Sequence, residues 1–115
     1  MITVYGIKNC DTCRKALKWL IAEGLAHRFH DVRKDGVSED AIQGWIDAAG
    51  WETLLNKRGT TWRGLDDADK DGVNAANAAA LMAAHPALIK RPVFETGGQV
   101  VIGFKDKQRQ ELLGL

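Results

Sequence analysis

The sequence is poor in cysteine and proline, with two residues of each among 115. Two cysteines are too few for the disulfide framework of a small secreted domain, so we expect a cytoplasmic protein with reduced thiols. No apolar run approaches the roughly 18 residues that a membrane-spanning helix needs. The first residues, MITVYG, lack the basic and apolar regions of a signal peptide. The sequence therefore argues against a secreted disulfide scaffold and against a membrane protein.

An excess of charge of one sign is also absent. Sixteen basic and fifteen acidic residues give a formal net charge of +1. No overall field attracts DNA, RNA or an anionic membrane, so we expect no nucleic-acid or membrane partner. What the sequence does contain is 45% hydrophobic residues. At this length, that content suffices for the core of one compact domain.

The first third of the chain changes from strand to helix and back. β-Branched and aromatic residues at 2–5 predict a short buried strand. The spacing of apolar residues becomes helical over about 11–23, and Gly24 marks the end of the predicted helix. A second strand is predicted over about 26–32. The i, i+4, i+7, i+8 spacing predicts that the buried stripe of this helix consists of Cys13, Leu17, Leu20 and Ile21.

The middle third is helical. A serine cap and a closing glycine delimit a helix over about 38–50, and a short helical turn follows near 51–55. The polar segment 56–72 predicts a loop with about one turn of helix. Residues 74–86, NAANAAALMAAHP, predict a strong helix with Asn74 as its cap and the proline as its terminator.

The C-terminal part combines a hairpin with a helix. In RPVFETGGQVVIGF, two apolar runs surround Gly97-Gly98, which is typical of a β-hairpin. An amphipathic helix over about 106–113 follows. The element order β-α-β, helical segment, β-β-α is that of an α/β protein with a thioredoxin-like fold. We predict a single domain over residues 1–115 with a helical insertion at about 38–85, because the inserted helices are too few to build their own core.

Both cysteines lie in YGIKNCDTCRKALKWL, at the start of the first helix. Cys13 falls on the buried stripe, whereas Cys10 precedes the helix and should be exposed. The amides of Thr12 and Cys13 and the helix dipole favour a thiolate at Cys10, and Arg14 is expected near the same side. An exposed attacking thiol with a buried neighbour one turn away is the arrangement of C-x-x-C redox sites.

Two other interpretations of the cysteine pair compete with a redox site. A zinc site requires four ligands, and the remaining candidates are His27, His30 and His85. The first two are three residues apart on a strand and point to opposite faces, so we expect no metal. Two inert core fillers would suit Cys13 but not Cys10.

Four segments identify a family resemblance: YGIKNCDTCRKA, LLNKRGTTWR, LMAAHPALIKRPV and GGQVVIGF. Together they resemble the arsenate reductase-like family of thioredoxin-fold proteins, most closely its YffB-like branch. The resemblance implies that Cys10 is the nucleophile, that Arg91 is the arginine used on a bound oxyanion, and that Pro92 is a cis-proline facing the active site. Two further arginines of the reductases are replaced here by Asn56 and Lys105.

The resemblance implies a glutathione-dependent thiol–disulfide oxidoreductase, with glutathione as co-substrate, no tightly bound cofactor, and glutaredoxin as a second candidate partner. One guanidinium and one thiolate suit a thiol peptide better than a concentrated oxyanion. The expected catalytic residues are Cys10, Cys13 and Arg91. The expected substrate-binding residues are Lys8, Asn9, Thr12, Arg14, Arg63 and Pro92.

Two alternatives stay open within the same resemblance. One is a true arsenate reductase, with Arg58 or Arg63 compensating for the missing arginines. The other is an Spx-like redox-sensitive regulator that binds the RNA polymerase α-subunit, since such regulators share Cys10-x-x-Cys13 and Arg91-Pro92. The sequence ends at ELLGL without the longer charged tail of those regulators, which favours an enzyme.

Overall fold

A computed structural model describes residues 1–115. The chain forms four strands and seven helices, and a 3-10 turn, Pro86–Leu88, precedes the third strand. In chain order the elements are β1 (Ile2–Gly6), α1 (Asp11–Ala22), β2 (His27–Asp31), α2 (Glu39–Ala49), α3 (Trp51–Leu54), α4 (Thr60–Arg63), α5 (Asp67–Gly72), α6 (Ala78–Ala84), β3 (Val93–Thr96), β4 (Gln99–Ile102) and α7 (Asp106–Leu113). None of these helices has both the length and the apolar character needed to cross a membrane.

The residues divide into two compact units, one of 1–35 with 91–115 and the other of 36–90. The second unit is slightly wider than the predicted insertion at 38–85. That the whole chain behaves as one domain stays a prediction. All four strands belong to the first unit.

The first unit contains a four-stranded mixed sheet in the order β2-β1-β3-β4. β1 runs parallel to β2, joined through α1, and antiparallel to β3, which forms a hairpin with β4. Val4 is paired with Phe29 on one side and Phe94 on the other, so β1 is one of the two interior strands of the sheet. This is the predicted thioredoxin-like fold, and the prediction of an α/β protein is confirmed.

The core of the first unit is formed by apolar side chains from the sheet, α1 and α7. Its buried members are Ile2, Val4, Ala16, Leu20, Phe94, Val101, Phe104 and Leu112. The hydrophobic effect of burying these side chains holds both helices on the sheet, since each buried aliphatic or aromatic side chain contributes about 1.5–3 kcal/mol. α1 therefore has a fixed position relative to the end of β1.

The β3–β4 hairpin confirms the prediction from the glycine pair. Gly97 and Gly98 have φ angles of 53° and 82°. Positive φ at both central positions defines the turn that matches the twist of paired strands, and only glycine adopts it without steric cost. The antiparallel pairing of β3 with β1 places the start of β3 beside the end of β1.

The predicted buried stripe of α1 is wrong at one position. Cys13 and Leu20 are buried with Ala16, and Leu17 is half-buried, but Ile21 is 70% exposed. At 3.6 residues per turn, Ile21 lies roughly 80° around the helix from Cys13, at the margin of the buried face. Ala16 was missed because a small residue contributes little to a hydrophobic pattern.

The second unit begins with the helix that the serine cap predicted. Ser38 Oγ accepts a hydrogen bond of 3.1 Å from the amide of Ala41, and α2 ends before Gly50, which has a φ of 90°. The buried residues of α2 are Ile42, Trp45 and Ile46. α2 packs against α3 and α6 within this unit.

Two predictions for the second unit need correction. The segment 56–72 contains two short helices, α4 and α5, instead of one turn. Asn74 does accept hydrogen bonds from the amides of Ala76 and Asn77, as a cap would, but residues 75–77 form a turn and α6 starts at Ala78. The Asn77 side chain bonds the Asn74 amide and the Gly72 carbonyl, so asparagine side chains compete with helix formation here.

Candidate active site

The topology brings three loops of the first unit to one edge of the sheet. β1 and β2 are parallel and end together, with Gly6 opposite Asp31. β3 is antiparallel to β1 and begins at the same edge, where Val93 is opposite Tyr5. Cys10 follows β1 and Arg91 immediately precedes β3. The sheet therefore places the two residues side by side, although they are 81 positions apart in the chain.

Cys10 occupies the N-cap position of α1. Its φ and ψ are −90° and 123°, its amide donates to the Ile7 carbonyl at 3.0 Å, and its carbonyl accepts from the Arg14 amide at 3.0 Å. The residue is half-buried, and not exposed as the sequence predicted, because burial also comes from residues distant in the chain. These two backbone hydrogen bonds fix the start of the helix and hold the Cys10 sulfur at its positive end.

The surroundings of Cys10 favour its thiolate. Burial opposes ionisation, but the backbone amide and the thiol of Cys13 and the guanidinium of Arg91 outweigh it. The pKa of Cys10 is consequently below that of an ordinary thiol. The sulfur makes no regular capping hydrogen bond. The anionic form of Cys10 is therefore stabilised by several weaker interactions. Among the groups that make them, Arg91 is the only one with a full positive charge.

Cys13 is the opposite case. Its side chain is 1% exposed. Burial is the main cause that raises the pKa of Cys13 to about 12; a hydrogen bond from the Ile7 backbone opposes it, and the neighbouring Cys10 sulfur adds a smaller upward contribution. Cys13 is thus a thiol at neutral pH, and its S–H is a hydrogen-bond donor to the Cys10 sulfur.

Gly6 explains how the Cys13 sulfur fits beside the sheet. A Cβ added at Gly6 would lie 2.5 Å from Cys13 Sγ and 3.3 Å from Phe29 Cε1, so the absence of a side chain creates the space for the sulfur. The sequence contained no signal for this role, since Gly6 reads as an ordinary residue after a strand.

Gly6→Ala is therefore expected to lower the free energy of unfolding by about 1–3 kcal/mol through overpacking. Chemical denaturation measures the change. Gly44→Ala serves as the control, because Gly44 lies in α2 with open space around it and alanine should stabilise that helix by about 0.5–1 kcal/mol. Adding Cys13→Ala to Gly6→Ala should recover part of the loss. If the effects of Gly6→Ala and Cys13→Ala on the free energy of unfolding simply add, the steric contact between a side chain at position 6 and Cys13 Sγ is contradicted.

Two residues expected near the Cys10 sulfur have other contacts. Arg14 donates from Nη2 to the Asn9 carbonyl at 3.2 Å and lies 3.5 Å from the Asp11 carboxylate. The guanidinium at Cys10 belongs to Arg91 instead. The helix amide that favours the thiolate is that of Cys13, and the Thr12 side chain is exposed. Arg14 thus holds the loop before the helix and does not take the predicted position beside the thiolate.

Asp31, at the end of β2, holds the loop before Cys10 in place through hydrogen bonds. This role of Asp31 was not predicted from the sequence. The Asp31 carboxylate accepts hydrogen bonds from the amides of Lys8 (3.0 Å), Arg33 (2.9 Å) and Lys34 (2.8 Å). Slight burial opposes its ionisation, but these amides and the charge of Arg33 hold the pKa of Asp31 below its usual range. An Asp at the end of a predicted strand could have indicated such a turn, but not its contact with Lys8.

A cavity of about 600 Å³ lies between α1 and the loop after β2, and we call it the β2-side cavity. Its apolar lining comes from Ile7, Leu17 and Phe29, with Cys13 at one wall. Its charged lining comes from Lys8, Arg14, Asp31, Lys34 and Asp35. Asn9 also lines it, so the predicted residues Lys8, Asn9 and Arg14 meet at one cavity.

The peptide bond between Arg91 and Pro92 is cis, as the resemblance implied. Pro92 is buried, and its carbonyl accepts a hydrogen bond of 2.9 Å from the Gly103 amide. That Pro92 contacts a substrate stays a prediction.

Lys105, the residue in place of a reductase arginine, forms the N-cap of α7, and its amide donates to Gln108 Oε1 at 2.9 Å.

The remaining predicted binding residue, Arg63, lies in the second unit. It ends α4, and its Nη2 donates to the Arg58 carbonyl at 3.2 Å. Nearby, the ammonium of Lys57 lies over the rings of Trp51 and Trp62, 5.7 and 5.4 Å from their centroids. Trp62 thus has a cation–π partner within its own unit. A substrate role for Arg63 stays a prediction.

No group of three or more His, Cys, Asp or Glu side chains is arranged to hold a metal ion. The site consists of a half-buried cysteine at a helix N-terminus, a buried second cysteine, and an arginine before a cis-proline. On this evidence the protein is a thioredoxin-fold protein with a C-x-x-C site.

The sequence profile of the ArsC family matches residues 5–112, and the chain belongs to this family. A protein of Haemophilus influenzae is 46% identical over 110 residues, which cover 96% of both chains. A solved structure of a protein named YffB is 42% identical, with a TM-score of 0.91 and coverage of 96% and 97%. The global transcriptional regulator Spx of Streptococcus pyogenes is 24% identical, over 98% of this chain and 85% of the regulator. Arsenate reductase-like and Spx-type proteins are thus both homologues of this chain.

Proposed function

We propose that the protein is a thiol–disulfide oxidoreductase that uses Cys10 as its nucleophile and glutathione as its co-substrate. The observation that supports this proposal most directly is the lowered pKa of Cys10, which results from Arg91 and Cys13. A thiolate is the reactive form of cysteine, so a lowered pKa increases the fraction of Cys10 that can attack a disulfide. The proposal places the protein in a reducing cytoplasm, where glutathione is abundant.

The reaction has two exchange steps. In the first, the Cys10 thiolate attacks one sulfur of a disulfide R–S–S–R′, forms Cys10–S–S–R and releases R′–S⁻, which takes up a proton. In the second, a glutathione thiolate attacks the R sulfur, forms R–S–S–glutathione and returns Cys10 as thiolate. Each step breaks one S–S bond and forms another, and glutathione supplies the electrons. Arg91 stabilises the anionic Cys10 before and after each cycle.

Cys13 takes no covalent part in this sequence. With a pKa of about 12 and 1% exposure, its thiol is a poor attacker of a mixed disulfide. Its S–H instead donates to Cys10 and stabilises the thiolate. Glutathione therefore acts as the resolving thiol.

A glutathione titration followed by amide chemical shifts tests this proposal. We expect the largest perturbations at Cys10, Arg91 and Val93, because these amides lie at the edge of the sheet where the thiolate is placed. Cys10→Ser should retain saturable shifts there, which separates binding from formation of a mixed disulfide. Shifts confined to α2, or an absence of saturable shifts, would contradict glutathione as co-substrate.

Arsenate turnover is expected to be weak or absent. Arg91 is the one guanidinium that the structure associates with Cys10, and Asn56 and Lys105 stand where reductases have arginines. Arsenate carries concentrated negative charge, and planar guanidinium groups are its natural partners. An assay with glutathione and glutaredoxin supplied measures the turnover. A rate matching that of a dedicated arsenate reductase would show that Arg58 or Arg63 replaces the missing groups.

A second candidate is a redox-sensitive regulator that binds the RNA polymerase α-subunit. The homology to Spx over 98% of this chain supports it. In this case the Cys10–Cys13 pair would act as a switch, and the protein would co-purify with polymerase. Recovery of the α-subunit from lysate at physiological salt, lost on oxidation of wild-type protein but not of Cys10→Ser, would favour this function over the enzyme.

A further inference from the structure

The two sides of the Cys10–Cys13 pair present different chemistry to a substrate. In the sheet order β2-β1-β3-β4, Arg91 precedes β3 and lies on one side of the end of β1. The β2-side cavity lies on the other side, against the loop that follows β2. One side therefore offers a guanidinium next to the attacking sulfur, and the other offers a cavity with an apolar lining.

The geometry of disulfide exchange gives the cavity a role. A thiolate attacks a disulfide in line with the S–S bond, so the two halves of the substrate extend in different directions from the reacting sulfurs. A volume of about 600 Å³ is within the usual range of small-molecule sites. The apolar surfaces of Ile7, Leu17 and Phe29 suit an apolar arm of the substrate.

The charged side chains around the cavity favour a negatively charged group at the end of that arm. Lys8 and Lys34 form no ion pair with a neighbouring carboxylate, whereas Asp31 is occupied by three backbone amides. Arg14 is shared with Asp11 and the Asn9 carbonyl. Asp35 is the remaining acidic side chain at the cavity. The cations available to a ligand thus exceed the available carboxylates.

We propose that the β2-side cavity binds one half of the disulfide substrate, an apolar arm that ends in a carboxylate. This inference rests on the proposed function, because it assigns the substrate of the same exchange reaction. The arm lies against Phe29 and Leu17, and its carboxylate approaches Lys34 and Lys8. The Cys10 thiolate attacks the substrate disulfide and releases one half as a thiolate, and glutathione then reduces the resulting mixed disulfide as described above.

Binding is tested with benzoate, which has an apolar ring and a carboxylate but no sulfur. In a titration of wild-type protein followed by amide shifts, we expect saturable perturbations at Leu17, Phe29 and Lys34. Benzamide, which is neutral, should bind more weakly. Saturable shifts at these residues support the site even if no thiol exchange is found, in which case only the proposed function fails. An absence of saturable shifts at the cavity overturns the proposal, whatever the thiol activity.

Selectivity is tested by the rate at which Cys10 reacts with two aromatic disulfides. 5,5′-Dithiobis(2-nitrobenzoate) carries carboxylates, whereas 4,4′-dithiodipyridine is uncharged, so the ratio of their rates cancels changes in Cys10 reactivity. Lys34→Glu should lower this ratio about fivefold, the effect expected from reversing one exposed charge. Lys18→Glu makes the same change in net charge on an exposed position outside the cavity and should leave the ratio within about twofold. Equal losses in both variants would indicate a general charge effect and overturn the role of the cavity.

Discussion

Cys10→Ser is expected to lower thiol–disulfide exchange by at least about a thousandfold, whereas Cys13→Ser retains most of the activity. A serine hydroxyl is not ionised near neutral pH and does not form a mixed disulfide, so no other group can replace the Cys10 thiolate. Cys13 is a buried thiol with a pKa of about 12, and glutathione can resolve the intermediate without it. Steady-state rates with glutathione and a small disulfide measure both effects.

If Cys13 acts as a hydrogen-bond donor, its serine and alanine variants should differ in activity. Cys13→Ser keeps a donor toward Cys10, whereas Cys13→Ala removes it and should raise the pKa of Cys10. The alanine variant should therefore lose more activity at neutral pH than the serine variant and regain it at higher pH. If Cys13 is instead a resolving thiol, both variants should accumulate the mixed disulfide between Cys10 and the substrate thiol, which is visible by mass spectrometry and is a Cys10–glutathione adduct when the substrate is a glutathione disulfide.

Alkylation with iodoacetamide provides an independent control for the assignment of roles. Cys10 should react far faster than Cys13 in the folded protein, since it is half-buried and has the lower pKa. Faster labelling of Cys13 would reverse the roles. Equal, slow labelling of both residues would restore the interpretation of two inert fillers.

Arg91→Ala is expected to slow the reaction of Cys10 at neutral pH roughly tenfold, the effect of losing a charge-assisted hydrogen bond. Arg91 lowers the pKa of Cys10, so its removal raises that pKa and reduces the thiolate fraction at any pH below it. The rate–pH profile should therefore move to higher pH. Titration of the thiolate by its ultraviolet absorbance measures the pKa directly.

Two further variants control this measurement. Arg91→Lys keeps the charge but loses the planar fork, so its pKa should fall between those of the wild type and the alanine variant. Arg14→Ala should change the pKa of Cys10 much less, because Arg14 is directed to Asn9 and Asp11. At a pH where Cys10 is fully ionised, the rates of all variants should converge. A persistent tenfold loss there would mean that Arg91 acts through the fold and not through the charge of Cys10.

Local signals in the sequence were sufficient to predict most of the helices and strands. The hairpin follows from Gly97-Gly98 because only glycine adopts positive φ at both positions cheaply, and α2 follows from a serine cap and an apolar face. Such signals fail where a side chain competes with the backbone. Asn74 and Asn77 bond to nearby backbone groups, so α6 starts later than its alanine content predicts.

Helical period and the start of α1 were enough to predict the position of the two cysteines and that Cys13 is the more buried of them. The resemblance added Arg91 and its cis-proline. Tertiary structure alone decided which groups surround the thiolate. The guanidinium beside the Cys10 sulfur is that of Arg91 and not that of Arg14, because the antiparallel pairing of β1 and β3 brings together residues that are 81 positions apart. The roles of Gly6 and Asp31 depend on the tertiary structure, since the space for a sulfur and the contact between two loops are set by strand register, which no local pattern encodes.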